Sequence, residues 1–229
     1  MKRKIELFMI LLLLMGAIVA SWKLSELTAD VSKSQAKKDD RIVIVVDPGH
    51  GGEDPGKVGI NDVLEKDLNL QIAKKVAKLL EEVDIEVVMT RKNDKVPDAK
   101  KKDLEQRIGL INDTNPTLAL CIHQNSYPDE KIYGAQVFYH TVTEEAEDVA
   151  SVVQEELRQI DPNNKRQIKE NDTYYMLKFS KVPTIIVECG FLTNPEEARK
   201  LTQEEYQDEL AFAICNGIVK WLDGGENEG

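Results

Sequence analysis

Three cysteines occur in 229 residues, 68 and 26 positions apart and with no Cys-x-x-Cys pair. That pattern excludes a disulfide scaffold and a cysteine zinc knuckle. Aromatic residues are few, at 6%, and positive charge is the minority sign: 30 Lys and Arg against 41 Asp and Glu give a net charge of −11. Nucleic acid, or any polyanion held by charge alone, is therefore not an expected partner. Gly51, Gly52 and Gly56 lack the Gly-Lys-Ser/Thr ending of a phosphate loop. Ser126 has no nucleophile-elbow sequence around it, so a serine hydrolase is not expected. No internal repeat is present.

Long apolar runs are also absent, except at the start. Lys2, Arg3 and Lys4 precede Leu7–Trp22, which carries no charge. A basic head before a short apolar core reads as an export signal or membrane anchor over residues 1–22. The run is somewhat shorter than the ~20 residues that span a bilayer comfortably. Val19-Ala20-Ser21 suits cleavage, whereas Lys23 suits retention. Removing Lys2, Arg3, Lys4 and Glu6 with this segment takes the net charge from −11 to −13. Function is placed outside the cytoplasm. Residues 23–40 read as a polar linker, 41–223 as one domain and 224–229 as a disordered tail.

Within the domain, strand and helix patterns alternate. Ile42–Val46, Ile85–Met89, Leu118–Ile122, Ala135–Tyr139, Tyr174–Leu177 and Thr184–Val187 read as six strands. Leu64, Leu68, Ile72, Val76, Leu79, Leu80 and Val83 share one helical face. Leu104, Ile108 and Ile111 mark a second helix, stopped by Pro116. Thr141 and Glu144 have capping-box spacing before a third, as do Thr202 and Glu205 before the last. Asn194-Pro195-Glu196-Glu197 is a helix start. The expectation is one α/β domain: a mostly parallel mixed sheet of about six strands with helices on both faces.

The chemistry-bearing residues fall at one edge of that sheet. His50 lies in the Gly- and Pro-rich loop after the first strand, and Glu65 opens the following helix. His123 follows the Leu118–Ile122 run, and Glu188 closes Thr184–Val187. In open α/β sheets ligands bind outside the carboxyl ends of the strands. Two imidazoles and a carboxylate form a known catalytic zinc set that leaves a position open for water. A carboxylate ending an apolar run, as Glu188 does, is costly unless paired or functional. Glu65 has a plainer reading as an acidic residue at a helix N-terminus. His140 reads as a surface histidine, Cys121 and Cys189 as buried thiols, and Asp161–Lys169 as a solvated loop.

Five stretches together resemble one family. They are Val45-Val-Asp-Pro-Gly-His50-Gly-Gly-x-Asp-Pro-Gly56, Leu64-Glu65-Lys66 with Leu68-Asn69-Leu70, Met89-Thr90-Arg91, Ile122-His123-Gln-Asn125, and Ile186-Val-Glu188-Cys-Gly-Phe-Leu-Thr-Asn194. In this order they resemble the zinc-dependent N-acetylmuramoyl-L-alanine amidases of amidase family three. The resemblance implies one Zn²⁺ per chain held by His50, Glu65 and His123, with Glu188 as the catalytic carboxylate. It also implies peptidoglycan as substrate, cut between N-acetylmuramic acid and L-alanine. Gln124 stands where the family usually has alanine and Cys121 where it often has serine. Arg91 and Arg107 match family positions, yet could simply hold carboxylates at the sheet edge. Between Tyr139 and Tyr174 one helix and a polar loop use most of the length, so the plug helix of autoinhibited relatives is not expected.

The bare domain and the His123-Gln-Asn-Ser-Tyr127 stretch resemble the family's germination-specific members from endospore formers. That likeness implies action in spore cortex, allowing muramic-δ-lactam to form, at the cortex side of a forespore membrane. A vegetative cell-separation autolysin, a catalytically silent wall-binding regulator and a different zinc hydrolase remain the alternatives. Membrane association through residues 1–22 is expected, and a regulatory partner protein is left open.

Overall fold

The computed structural model describes Lys23, residues 41–141 and residues 143–225. The expected signal or anchor (1–22) and all of the linker (23–40) except Lys23 therefore lie outside the described residues, as does 226–229 of the expected tail. No helix among the described residues is long and apolar enough to cross a membrane. The chain divides after Arg41, and the unit beginning at Ile42 carries the architecture below.

Six strands, β1 (Val43–Pro48), β2 (Glu86–Met89), β3 (Leu118–Asn125), β4 (Gln136–Tyr139), β5 (Lys169–Glu170) and β6 (Thr184–Phe191), form one sheet. Their order is β2-β1-β3-β6-β4-β5, parallel except where β4 meets β6. The helices are α1 (Glu65–Glu81), α2 (Lys100–Thr114), α3 (Glu144–Ile160), α4 (Tyr175–Phe179), α5 (Pro195–Lys200) and α6 (Glu204–Gly225). α6 includes Gly224 and Gly225, the first two residues of the stretch expected as a tail.

The continuous apolar runs of β1, β3 and β6 are explained by two cores, one on each face. Ile44, Val46, Leu120, Ile122, Ile185 and Val187 pack with α1, α3 and α6. Val45, Ala119, Cys121 and Ile186 point the other way, toward Ile108 and Ile111 of α2 and Met176 and Leu177 of α4. Side chains alternate along a strand, so a strand covered on both faces must be apolar throughout. The expected mixed α/β sheet with helices on both faces is the fold observed.

Several local expectations are corrected. Tyr174–Leu177 is not a strand: the chain turns at Asn171, whose side chain accepts from the N–H groups of Thr173 and Tyr174, and enters the short helix α4. Met176 and Leu177 are apolar because they plug the second core, a burial that a four-residue run cannot tell from a strand. The sixth strand is instead Lys169–Glu170, exposed at the sheet edge and without apolar alternation. Asp161–Lys169 is more than a solvated loop, since buried Asn164 donates to Ala135 O at 2.8 Å.

Neither threonine capping box forms as spaced. The α3 N-cap is Thr143 rather than Thr141, whose hydroxyl bonds Glu170, and Thr202 donates to Arg199 O. Asn194 does cap α5, accepting from Glu196 N and Glu197 N. Val83 leaves the apolar face of α1 and is half exposed, because the helix stops at Glu81.

Candidate metal centre

The loop after β1 is built by two arginines. Arg107 of α2 bonds Asp47 and Asp103 at 2.9 Å each and donates to the carbonyls of Pro48 and His50 at 2.6 Å. Arg91 donates to the carbonyls of Pro48, Gly49 and Lys66 at 2.8–3.0 Å. Both arginines are buried. Arg107 thus holds carboxylates as expected, whereas Arg91 holds backbone. A planar fork of five donors suits this clamp on successive carbonyls. Burial works against ionised Asp47, but Arg107 and Thr90 outweigh it and hold its carboxyl below the usual range.

The clamped loop presents His50 at φ +60°, a left-handed conformation uncommon for a residue with a side chain. Its ring lies between two carboxylates. Nδ1 is 3.0 Å from Asp54 and Nε2 is 3.2 Å from Glu65. Asp54 is also paired with Lys100 at 2.9 Å. Although burial opposes it, the bonds from Lys100 and His50 bring the Asp54 pKa down to about 2.

Glu65 is the first residue of α1, and the acid-favouring N-terminus explains its tolerance there. Its Oε1 is also 3.0 Å from His123 Nδ1 and accepts from Gln124 N–H at 3.2 Å, while Oε2 accepts from Lys57 N–H at 2.8 Å. Burial opposes the charge, yet these hydrogen bonds and the two imidazoles hold its pKa far below the ordinary carboxylate range. Asn69, one turn along, donates to Gly49 O at 3.1 Å and to Glu65 Oε1 at 3.3 Å.

One donor atom from each of His50, Glu65 and His123 lies within 4.8 Å of the others. The imidazoles meet edge to face at 5.1 Å between centroids. Two glycines permit the approach. A Cβ on Gly49 would sit 2.1 Å from the His123 ring. One on Gly56, whose φ is +65°, would sit 2.6 Å from Glu65 Oε2. Two imidazoles and a carboxylate converging without intervening side chains suit a small dication such as zinc.

Glu188 stands beside this group. His123 and Glu188 are register partners on adjacent parallel strands. Strand extension carries β3 through His123 to Asn125 and β6 through Glu188 to Phe191, so both residues sit within strands rather than after them. Glu188 is buried, and its Oε2 has no hydrogen-bond partner among the described residues. Burial, reinforced by the charge of Glu65 and countered by the two histidines, raises its pKa to about 7. A carboxyl so placed can exchange a proton near neutral pH.

Cys121 and Cys189 are free and fully buried, with thiols pushed up by burial. His140 is only partly exposed, and its Nδ1 is buried without a partner among the described residues. It lies outside the triad. The roles of Asp54 beside His50, Asn69 beside Glu65 and the Arg91 clamp were not read from the sequence. Only spacing could have signalled them: Asp54 follows His50 by four residues, as Asn69 follows Glu65.

Residues 44–220 match the N-acetylmuramoyl-L-alanine amidase family Amidase_3. The germination-specific N-acetylmuramoyl-L-alanine amidase of Bacillus subtilis (strain 168) is 39% identical over 189 residues, 79% of this chain and 79% of that protein. The CwlD amidase from Clostridioides difficile, solved in complex with the GerS lipoprotein, is 35% identical with a TM-score of 0.77. That match covers 80% of this chain and 99% of the other. The catalytic domain of CwlV, an amidase from Bacillus (Paenibacillus) polymyxa, gives 29% identity and a TM-score of 0.72 over 80% and 98% of the two chains. With its mixed six-stranded sheet and its sequence matched from Ile44 to Lys220, the chain belongs to the Amidase_3 family and is an N-acetylmuramoyl-L-alanine amidase of peptidoglycan.

Proposed function

We propose that the amidase is zinc-dependent, with one Zn²⁺ held by His50, Glu65 and His123 and with Glu188 as the catalytic carboxylate. The observation that carries this reading is the convergence of three donor atoms within 4.8 Å beside a buried, unpartnered Glu188 oxygen. Zinc in such a site supplies a Lewis acid that polarises the scissile carbonyl and acidifies water. Glu188 accepts the proton of the attacking water and returns it to the alanine nitrogen, which leaves poorly until protonated. Asp54 and the backbone clamp of Arg91 and Arg107 hold His50 in place while this happens. Held beside a bound dication, Glu188 would favour its ionised form, the form that accepts a proton.

The proposed biological setting is spore cortex, where removal of peptides from muramic acid precedes muramic-δ-lactam formation. The 39% identity to a germination-specific amidase supports it. Residues 1–22, outside the described part, would carry the enzyme out of the cytoplasm as a signal or membrane anchor. An acidic chain gains no adherence to an anionic wall by charge, so an anchor would decide where it works. The C. difficile relative was solved with a lipoprotein, which supports a regulatory partner protein here as well.

The test is digestion of intact peptidoglycan with zinc and then with EDTA, read by mass spectrometry. The expected product is free stem peptide with an alanine amino terminus, lost on chelation. Binding without a new amine would identify a silent wall-binding protein instead, and acetate release a deacetylase. In the source organism, gene deletion is expected to leave septation normal and remove muramic-δ-lactam from spores. Chained cells with unchanged cortex would establish the autolysin role.

A further inference from the structure

A groove of about 390 Å³ is lined by Gln136 and Phe138 of β4, the strand that pairs with the Glu188 strand. Gln136 is the register partner of Glu188, and Phe138 that of Ile186. Alternation along the strands therefore puts the groove wall on the face that carries Glu188 and, on β3, His123. Asn125, two residues beyond His123, and Phe191, three beyond Glu188, line its far side. Tyr174 stands near enough for the charges of Glu188 and Glu65 to raise its pKa, after burial.

The charge lining this groove runs against the chain. In a protein of net charge −11, it contains Arg166 and Lys169 and no carboxylate. Arg166 is fixed in place. Its guanidinium lies 4.5 Å from the centre of the Phe191 ring, Nε donates to Tyr133 O at 2.7 Å, and Nη1 donates to Gln136 Oε1 at 3.1 Å. Every hydrogen-bond partner of that guanidinium is neutral, and Nη2 has none among the described residues. Lys169 Nζ stands 6.0 Å from the Phe138 ring centre, also without a carboxylate partner among the described residues. Glu197, outside the groove lining, offsets part of this charge, but the hydrogen-bond acceptors of the guanidinium are neutral, so it can still donate to a carboxylate entering the groove.

We propose that Arg166 and Lys169 form an anion subsite that reads a free carboxylate on the stem peptide, within the two residues that follow the alanine. This rests on the amidase reading of the neighbouring triad. The two strand residues from His123 to Asn125 span about 7 Å, the reach of roughly two residues of extended peptide. Amidation of that carboxylate, which leaves size and shape nearly unchanged, would remove the charge the subsite needs. The enzyme thereby distinguishes free-acid from amidated stem peptides.

The experiment compares N-acetylmuramoyl-L-alanyl-D-isoglutamate with its isoglutamine amide on the zinc-loaded full chain. The free acid is expected to show at least a tenfold higher kcat/KM, mostly through KM, and R166Q to bring the ratio near one. K169Q, at an exposed position, is expected to reduce the ratio severalfold with an unchanged melting temperature. Equal wild-type values for the two substrates overturn the subsite whether or not either variant folds. So does an acid preference that survives both substitutions. If neither substrate is cleaved, the amidase reading of the triad has failed. Calorimetric binding of L-alanyl-D-isoglutamate against the amide then still decides: an acid preference lost in K169Q supports the subsite, and equal binding overturns it.

Discussion

Asp54 lies 3.0 Å from Nδ1 of His50, on the side of the ring opposite the nitrogen that faces Glu65. An ionised carboxylate only accepts, so a His50 that gives its Nε2 lone pair to a cation in the triad would carry its proton on Nδ1 and donate it to Asp54. Carboxylates that orient a ligating imidazole in this way typically contribute 10–100-fold in metal affinity. Asp54→Asn is expected to weaken zinc binding by about that factor, measured by competition with a chromogenic chelator. Unchanged affinity would show that Asp54 serves only Lys100 and the turn at Gly56.

Glu188→Gln keeps the size of the side chain and removes its capacity to take a proton. The variant is expected to retain zinc and bind glycan-peptide, yet to hydrolyse it at least about a hundredfold more slowly. Near-normal turnover in a zinc-replete variant would sink the assignment. His50→Ala and Glu65→Ala should fail differently, with zinc per chain falling well below one.

Gly56 is expected to resist even the smallest side chain. A Cβ there would fall 2.6 Å from Glu65 Oε2 and 2.7 Å from His50 Cδ2, and φ is +65°. Gly56→Ala should cost more than about 1 kcal/mol in urea unfolding and lower zinc content together. Loss of stability with full zinc affinity would mean that only the turn, and not the donor set, depends on this glycine.

Arg107 is the keystone of the loop, because Asp47 is buried and paired with it. Arg107→Met should lose about 3–5 kcal/mol, since it strands a buried carboxylate. The pH dependence follows from the sign of the Asp47 shift. Its folded pKa is depressed, so its contribution is fully present above the ordinary aspartate value of about 3.9. It is lost as pH falls from there through the depressed native value. Urea midpoints measured from about pH 5 down to about pH 2 should therefore fall toward acid less steeply in Asp47→Asn than in the parent.

Much of this molecule is determined locally. The apolar runs at Ile42–Val46, Leu118–Ile122 and Thr184–Val187 became strands covered on both faces, and each is followed by a chemistry-bearing residue. Asn194 before Pro195 determines a helix start because cap and proline act within one turn. Burial, pairing and charge are different, since they depend on residues far apart in the chain. Lys169–Glu170 takes the β4 edge and Tyr175–Phe179 is helical, a division of roles invisible in either segment. Thr141 lost its capping role to Glu170, 29 residues away. Arg107 reaches the His50 loop from 57 residues downstream, and Arg166 acquires its place from Phe191 and Tyr133. Periodicity and turn chemistry are written in neighbouring residues, so sequence decided the buried central strands and the donors placed along them, though not every strand or strand end. Which donors share an oxygen, and which charges stay unpaired, is decided only when the sheet closes and desolvates them together.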